Sequence, residues 1–244
     1  MLSAVENAVS RPEPSCAAAG NAFDRIILGR FACRDFASRP VSRETIEEIL
    51  AVARYAPSGA NIQPWHVYVL AGVEKERISS ALLEAHRDAR DEHSSEYKYY
   101  STELPEPYLS RRAQFGRIYY GSLGIQQSDT AARTNQTSKN YAFFGAPIGL
   151  IVTIDRRLEI GTWLDLGTFI QNVMLAAGAR GLHSCPQETF SKYHRILRRM
   201  LSIPAPQMVV CGISIGWPRD GAARSQRLMP RAEVAEFASF IGFD

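Results

Sequence analysis

The sequence predicts a single domain of the α+β or α/β class, on three observations. The chain of 244 residues is long enough for one full hydrophobic core, and its 45% hydrophobic and 22% charged residues are ordinary for a globular protein. Segments with helical periodicity outnumber β-rich runs, and the two kinds alternate along the chain. Residues 1–20 mix Ser, Pro, Ala and Glu without periodicity, so we expect a loosely ordered leader followed by one domain over residues 21–244.

Helix N-caps mark the first two predicted helices. Asn21 is suited to cap a short helix that carries apolar residues up to Leu28, and Ser42 is suited to cap the next one. The second helix must stop before Pro57. Its core-facing stripe, at positions i, i+3, i+4 and i+7, consists of Ile46, Ile49, Leu50 and Ala53.

The rest of the chain alternates β-rich and helical patterns. Strands are predicted at three β-rich runs, residues 66–71, 147–154 and 207–216. Helices are predicted at three segments, residues 74–92, 162–181 and 232–240. The second of these is apolar on nearly every face and closes at Gly181, so we expect it to be buried all round, within the fold or at a subunit contact. Residues 93–140 are polar and aromatic, which predicts an irregular, partly helical excursion.

Charge, cysteine and histidine content exclude several classes of protein. The formal net charge of +3 is too small and dispersed to indicate binding to nucleic acid or an anionic membrane. The four cysteines form no C-x-x-C pair and the five histidines show no metal-ligand spacing, so we expect reduced thiols and no metal. No apolar run approaches the ~20 residues that span a bilayer, and no secretory signal is recognisable, which makes the cytoplasm the expected location.

One string matches a catalytic motif formally but not in its context. Residues 212–216 (GISIG) fit the G-x-S-x-G nucleophile elbow, which requires a helix after the serine and a histidine downstream. A loop sequence follows instead, and the last histidine, His194, precedes Ser214. We therefore predict a buried strand with small residues and exclude a serine hydrolase. The G-x-G-x-x-G and G-x-x-x-x-G-K-[ST] fingerprints are also absent from the sequence.

Two arginines stand close together in residues 29–36 (GRFACRDF), after a predicted helix end. Arg30 and Arg34 lie four residues apart, and Phe31 and Ala32 stand between them. Two guanidiniums that converge form a planar, bidentate clamp for a phosphate group. The alternative is a pair of solvated surface arginines, which the spacing alone does not exclude.

Short polar side chains crowd the loop of residues 56–65 (APSGANIQPW), between a predicted helix and a predicted strand. Its polar residues are Ser58, Asn61 and Gln63, and they stand with two prolines and a glycine, namely Pro57, Pro64 and Gly59. Such side chains on a stiff loop suit hydrogen bonding to a planar heterocycle. They also suit a loop that caps its own backbone, so both interpretations stay open.

Taken together, these segments resemble the nitroreductase family of flavin enzymes. The resemblance runs from about residue 22 to the C-terminus, and it includes R-x-x-x-R-x-F, P-S-x-x-N-x-Q-P-W and the spacing between them. Four further strings take part, namely FFGAPIGL (143–150), DLGTFIQNVMLAA (165–177), GLHSCPQETF (181–190) and GISIGWP (212–218). FFGAP, SCPQE and the central excursion look most like the branch that includes nitrobenzoate reductases.

The resemblance implies an α+β, nitroreductase-like fold in which helices wrap a central mixed β-sheet. It also implies an intertwined homodimer with one FMN in each of two interface clefts. Arg30 would bind the FMN phosphate, and Arg34 would lie nearer the ribityl chain and the pyrimidine edge. The family's C-terminal phosphate-binding positions resemble Arg227 and Arg231.

Two other segments complete the implied FMN site. The polar loop would reach the FMN of the other subunit through Pro57, Ser58, Gly59 and Asn61, and Gln63 is assigned to the same site. Pro186, Gln187 and Glu188 would lie over the flavin face and its N5 edge. Phe31 and Ala32 depart from the family, which commonly has a basic or polar residue and a serine there. Either FMN is then held more weakly, or the C-terminal arginines compensate.

The activity that the resemblance implies is an FMN-dependent oxidoreductase. It would use NADH or NADPH to reduce a small electron-poor acceptor, nitroaromatic or quinone-like, by ping-pong hydride transfer. No side chain is expected to be catalytic, because the flavin carries the chemistry. The backbone N–H of Glu188 would face flavin N5, and Arg34 would stabilise the negative charge that develops near N1 and O2. The tyrosines of residues 97–120 would form either a lid over the flavin or an aromatic dimer core. The alternatives are an FMN oxidase or reductive dehalogenase on the same fold, and a flavin-binding protein without turnover.

Overall fold

A computed structural model describes residues 20–222 and 229–243 of the chain. The predicted leader, apart from Gly20, and the candidate phosphate ligand Arg227 lie outside the described residues. Within them, helices surround one four-stranded sheet whose strands are antiparallel. The class is therefore α+β rather than α/β.

The sheet has the order β1-β2-β4-β3. Its strands are β1 (His66–Ala71), β2 (Ile148–Asp155), β3 (His183–Gln187) and β4 (Gln207–Gly216). The expected mixed sheet is wrong for these strands, because β2 and β3 run in the same direction but β4 lies between them and is antiparallel to both. Within the described ranges, the parallel pairing is limited to an isolated bridge between Ala32 and Ser184, at the outer edge of β3.

The helices begin where the sequence places its N-caps. Asn21 Oδ1 accepts a hydrogen bond of 2.9 Å from Asp24 N, and Ser42 Oγ accepts one of 3.2 Å from Thr45 N. Both caps are confirmed. The helices are α1 (Ala22–Gly29), α2 (Arg43–Ala53), α3 (Gly72–Asp88), α4 (Tyr108–Ser122), α5 (Thr130–Ser138), α6 (Ile160–Gly178), α7 (His194–Leu201) and α8 (Val234–Phe237).

Two elements were not predicted, and two predicted helices are shorter than expected. Strand β3 and helix α7 were not predicted, because β3 has five residues with a proline among them and α7 has only eight residues (HRILRRML), half of them polar. Helix α3 ends at Asp88 rather than residue 92, and α8 covers four residues rather than nine. Helix α6 is not buried all round within one chain, since Ile160 is 84% and Leu164 is 76% exposed, so of the two predicted alternatives burial at a subunit contact stays a prediction for this face.

Apolar clusters cover both faces of the sheet. Consecutive β2 residues point to opposite faces, so Leu150 enters the cluster with α2 and α6, and Ile151 enters the cluster with α3 and the phenylalanines of the 139–145 turn. The Phe190 ring packs directly on Gly212 of β4, so a larger residue does not fit there. An added Cβ would lie 2.5 Å from the Phe190 ring. Ser214 on the same strand is fully buried, as predicted. The turn that follows β3 therefore rests directly on the central strand.

Candidate functional site

The two predicted arginines lie along the outer edge of β3. Arg30 follows α1, and its N–H donates to Ile26 O and Ile27 O at the helix end. The chain then extends, and Cys33 N donates to Ser184 O at 3.0 Å. This pairing brings the segment of residues 30–34 beside the SCPQE sequence, which is distant along the chain.

Positive charge accumulates around Arg30. Burial and then the nearby positive charge of Arg231 lower the pKa of the Arg30 guanidinium. Burial raises the pKa of the Cys185 thiol to about 11, and the charges of Arg34 and Arg30 oppose that rise. Arg231 affects Arg30, and Arg30 and Arg34 both affect Cys185, so the three positive charges influence one part of the β3 edge. Across the described part of the chain, none of the three forms an ion pair with a carboxylate. Such uncompensated cations form a site for an anion.

Arg34 is held by aromatic side chains of the central excursion. Its guanidinium lies 4.8 Å from the centre of the Tyr119 ring and 5.8 Å from that of Phe115, and its Nη1 donates to Ala32 O at 3.4 Å. Gln136 Nε2 donates to the Tyr119 hydroxyl at 2.8 Å. These contacts border a cavity of about 170 Å³ lined by Arg34, Phe115, Tyr119, Tyr120, Gln136, Thr137 and Asn140. The sequence assigned no role to Gln136 or Asn140.

Phe31 and Ala32, the two departures from the family, have structural contacts. The Phe31 ring lies 4.5 Å from the ring of His183, and Phe31 packs against the apolar cluster beneath β3. Ala32 forms the bridge to Ser184. The side chains therefore attach the arginine segment to the sheet, and they add no hydrogen-bonding group to the site.

In the polar loop of residues 57–63, some side chains form hydrogen bonds with the backbone of the loop itself. Ser58 Oγ accepts from Gln63 N at 3.0 Å, and Gln63 Nε2 donates to Asn61 O at 3.2 Å. Gly59 N donates to Asp165 Oδ2 on α6 at 3.1 Å. Asn61 has a φ of 58°, a conformation that asparagine tolerates well, and its side chain is exposed. Self-capping thus explains Ser58 and Gln63 but leaves the Asn61 amide available.

This loop lies at the opposite side of the sheet from the arginines. It leads into β1, whereas Arg30 and Arg34 lie beside β3, and β2 and β4 separate those two edge strands. Three inter-strand spacings amount to roughly 14 Å. No hydrogen bond or ion pair within residues 20–222 joins the loop to residues 30–34. Within the described residues of one chain, the loop and the arginines are thus separated by the width of the sheet.

Gln187 is directed into the protein rather than toward the predicted flavin face. Its side chain is buried, and Nε2 donates to Asn140 O at 2.8 Å. Its Oε1 accepts a short hydrogen bond from Ser214 Oγ. The predicted contact through Gln187 is therefore limited to its backbone, because its amide already has partners inside the fold.

Glu188 and Pro186 form the surface of this edge. Pro186 is exposed and has no N–H, as is typical of an edge strand. Glu188 follows the last residue that pairs with β4, and no described residue accepts a backbone hydrogen bond from its N–H. Its carboxylate accepts from Ser191 Oγ at 2.8 Å. A free backbone donor thus follows the end of β3, while the Glu188 side chain is hydrogen-bonded to the following turn.

The remaining reactive side chains do not suggest another chemistry. Burial raises the pKa of the Cys33 and Cys211 thiols to about 12, so both are protonated at neutral pH. No cluster of His, Cys, Asp and Glu suited to a metal ion exists in residues 20–222 and 229–243. Among the described helices, none is both long and apolar enough to cross a bilayer.

Comparison with known proteins gives consistent matches over most of the chain. Residues 27–217 match the nitroreductase family. The chain is 42% identical over 218 residues to the chloronitrobenzene nitroreductase of Comamonas testosteroni, covering 89% of this chain and 96% of that protein. It is 38% identical over 222 residues to the 4-nitrobenzoate reductase of Pseudomonas putida, covering 91% and 96%. These relatives agree with the predicted placement near nitrobenzoate reductases.

A solved structure supports the same conclusion about the fold. The FMN and NADPH-dependent nitroreductase NfnB from Sphigopyxis sp. strain HMH matches with a TM-score of 0.87 and 33% identity, covering 91% of this chain and 100% of that chain. The antiparallel sheet and its surrounding helices are therefore shared with a protein of known structure.

Proposed function

This chain belongs to the nitroreductase family, and from that membership we propose that it binds FMN and uses NADH or NADPH to reduce a small electron-poor acceptor, nitroaromatic or quinone-like. The structural observation that carries the proposal is that Arg30 and Arg34 flank β3, with Arg231 near Arg30, and that β3 leads directly to the free N–H of Glu188. Cations for a phosphate and a backbone donor for a ring edge occur together there.

The residues present fit FMN. Arg30 and Arg231 would hold the phosphate, because their charges are close enough to affect each other and neither forms an ion pair with a carboxylate of residues 20–222 or 229–243. The Glu188 N–H would face the reactive edge of the ring, and Pro186 would contact its face. When bound, FMN supplies the two-electron chemistry that the side chains themselves lack.

The protein's own contribution is placement and electrostatics. Arg34 is packed on Tyr119, so its positive charge is fixed beside the cavity before any ligand arrives. A preorganised charge stabilises negative charge that develops during a reaction without having to reorient. The Glu188 N–H adds a hydrogen-bond donor that does not titrate. The thiols nearby stay protonated, and none is suited to act as a nucleophile.

The complete site is proposed to need two chains in a homodimer. The Pro57–Gln63 loop and the arginines occupy opposite edges of one sheet, while the Asn61 amide is exposed. A second copy that brings its loop to the first copy's β3 edge would complete the site. Exposed apolar side chains suit such a contact, including Ile160 and Leu164 on α6 and Phe240, Ile241 and Phe243 near the C-terminus.

The domain organisation and location are further parts of the proposal. We assign residues 21–244 to one FMN-binding domain and residues 1–20 to a leader. The described cysteines, Cys33, Cys185 and Cys211, are free thiols, which fits the reducing cytoplasm.

Two measurements test this function. Flavin released from the purified protein by denaturation should be FMN, near one per chain. Steady-state oxidation of NADH and NADPH should then depend on an added nitroaromatic under anaerobic conditions. Bound FMN with turnover only by O₂ would indicate an oxidase, FMN without turnover would indicate a binding protein, and no FMN even after incubation with an excess would contradict the proposal.

A further inference from the structure

A second cationic cavity lies between α5 and the end of α3. Its volume is about 220 Å³, and it is lined by Arg90, Tyr120, Thr130, Arg133, Thr134 and Thr137. Four of these residues belong to α5 and share one helix face, because they are spaced at i, i+3, i+4 and i+7. Two guanidiniums and four hydroxyl-bearing residues, Tyr120 and three threonines, therefore surround one space.

The arginine charges at this cavity are not neutralised within the described chain. Neither Arg90 nor Arg133 forms an ion pair among residues 20–222 and 229–243, and no Asp or Glu lines the cavity. Two acidic residues lie close in sequence to this lining. The Asp129 carboxylate caps α5 by accepting from Ala132 N, and Asp91, next to Arg90, is exposed.

Arg133 is held in position before a ligand binds. Its Nη1 donates to Gln127 O at 3.1 Å, and its guanidinium lies 4.6 Å from the centre of the Tyr120 ring. Burial and then the charge of Arg90 lower the pKa of Lys192, and the charge of Asp91 opposes that change. An anion that enters the cavity would meet hydrogen-bond donors already in position and the positive charges of Arg90 and Arg133.

The cavity adjoins the one that Arg34 borders. The two share Tyr120 and Thr137 as lining residues. The stacked pairs Arg34–Tyr119 and Arg133–Tyr120 are also adjacent, because the two tyrosine rings lie 5.2 Å apart. A molecule placed against Arg34 can therefore extend an anionic group into the second cavity.

We propose that the cavity between Arg90 and Arg133 is a subsite for a monoanionic or dianionic oxygen group, either the 2′-phosphate ester of NADPH or the carboxylate of an aromatic acceptor. The proposal rests on the function proposed above. Guanidinium forks and threonine hydroxyls suit two or three oxygens of one group, which both ligands provide. The neutral or dephosphorylated counterparts, NADH and nitrobenzene, lack that group.

The test uses the FMN-loaded protein and two matched substitutions. Arg133→Gln removes one positive charge from the cavity and keeps an amide donor. Arg117→Gln makes the same charge change at an exposed residue of α4 that lines neither cavity. For each variant, kcat/KM is measured with NADPH against NADH, and with 4-nitrobenzoate against nitrobenzene. Calorimetry gives the Kd of adenosine 2′,5′-bisphosphate against 5′-AMP, and of benzoate against benzamide, as readouts independent of turnover.

Arg133→Gln should lower affinity and kcat/KM for one anionic ligand by about ten- to a hundred-fold, as expected for a lost charged hydrogen bond, and leave its counterpart unchanged. A loss confined to NADPH and adenosine 2′,5′-bisphosphate assigns the cavity to the nucleotide. A loss confined to 4-nitrobenzoate and benzoate assigns it to the acceptor.

Two results would contradict the subsite. Arg133→Gln could lower affinity and kcat/KM equally for each anionic ligand and its counterpart, or it could lower them no more than Arg117→Gln does. If both variants still oxidise NADH with nitrobenzene, the proposed function holds even when the subsite is contradicted. If the wild-type protein lacked flavin or turnover, the binding measurements would still test the cavity.

Discussion

Ser214 Oγ donates a short hydrogen bond to Gln187 Oε1, which links the central strand to the residue that precedes Glu188. The other end of the Gln187 amide donates to Asn140 O at 2.8 Å, next to the Arg34 cavity. One buried amide therefore connects the strand, the proposed flavin edge and the cavity wall. This relationship also explains the serine of the GISIG string, which holds a neighbour in place rather than attacking a substrate.

Removing the Ser214 hydroxyl should destabilise the fold. Ser214→Ala leaves the buried Gln187 oxygen without its donor, so we expect the free energy of unfolding to fall by roughly 1–3 kcal/mol. Ser80→Ala, at an exposed position of α3, should change it by less than about 0.5 kcal/mol. Urea unfolding of both variants measures the difference, and equal stabilities would show that the buried hydrogen bond contributes nothing.

Arg30→Ala should weaken FMN binding much more than riboflavin binding. Riboflavin lacks the phosphate, and a charged hydrogen bond to it is worth roughly 1.5–3 kcal/mol, about ten- to a hundred-fold in affinity. Arg25→Ala, one helical turn earlier and exposed, is the matched control. Titration of the apoprotein with each flavin gives the ratio, and equal losses for FMN and riboflavin would place Arg30 away from the phosphate.

The Glu188 backbone, rather than its carboxylate, should matter for turnover. Glu188→Gln keeps the N–H and should retain kcat within about ten-fold, or roughly 1.4 kcal/mol of barrier. Glu188→Pro deletes the N–H and should cost far more, although its fixed φ also constrains the turn. Flavin content is measured first in both variants. Abolished NAD(P)H oxidation in Glu188→Gln with FMN still bound would assign catalysis to the carboxylate.

Mixed dimers should recover activity if each site takes its arginines from one chain and its loop from the other. We combine an Arg30→Ala chain with an Asn61→Gly chain, since glycine adopts the positive φ of Asn61 without strain and removes only the amide. Each heterodimer should contain one intact site and one site with both defects. Verified subunit exchange without recovered turnover would argue that one chain holds the whole site.

Buried thiols should reduce stability at alkaline pH. Burial raises the pKa of Cys185 from the ordinary 9.0 to about 11, so the unfolded chain loses this proton first and the free energy of unfolding falls between those two pH values. Each such thiol contributes up to about 1.4 kcal/mol per pH unit. Urea unfolding of Cys185→Ala between pH 9 and 11 should show a shallower decline than the wild type. An unchanged slope would contradict the raised pKa.

Local signals in the sequence were sufficient for much of the fold. Asn21 and Ser42 cap helices as predicted, and the strands at residues 66–71 and 207–216 have the predicted bounds. These features depend on side chains close in sequence, namely caps, β-branched runs and apolar spacing. Strand β3 was missed because its pairing with β4 and with the arginine segment supplies its order. Its own five residues give no periodic signal.

Long-range contacts limited what the sequence could say about the site. The stacking of Arg34 on Tyr119 joins residues far apart in the chain, so no local pattern announces it. The inward direction of Gln187 depends on the register of β3 against β4, because a shift of one residue would reverse every side chain. The resemblance located the correct segments, but the geometry decided which atoms of each segment are available.

The packing of Phe190 on Gly212 has a consequence for how this protein can acquire new acceptors. The turn that bears Glu188 is held on β4 through Phe190, and its residues Ser191 and Tyr193 are also buried, so this side of the site is stiff. The opposite wall, α4 with the start of α5, exposes most of its side chains to solvent. Natural or laboratory evolution of acceptor range should therefore accumulate at residues 108–138 other than Phe115 and Tyr119, where a substitution reshapes the cavity without disturbing Arg34 or the turn that bears Glu188.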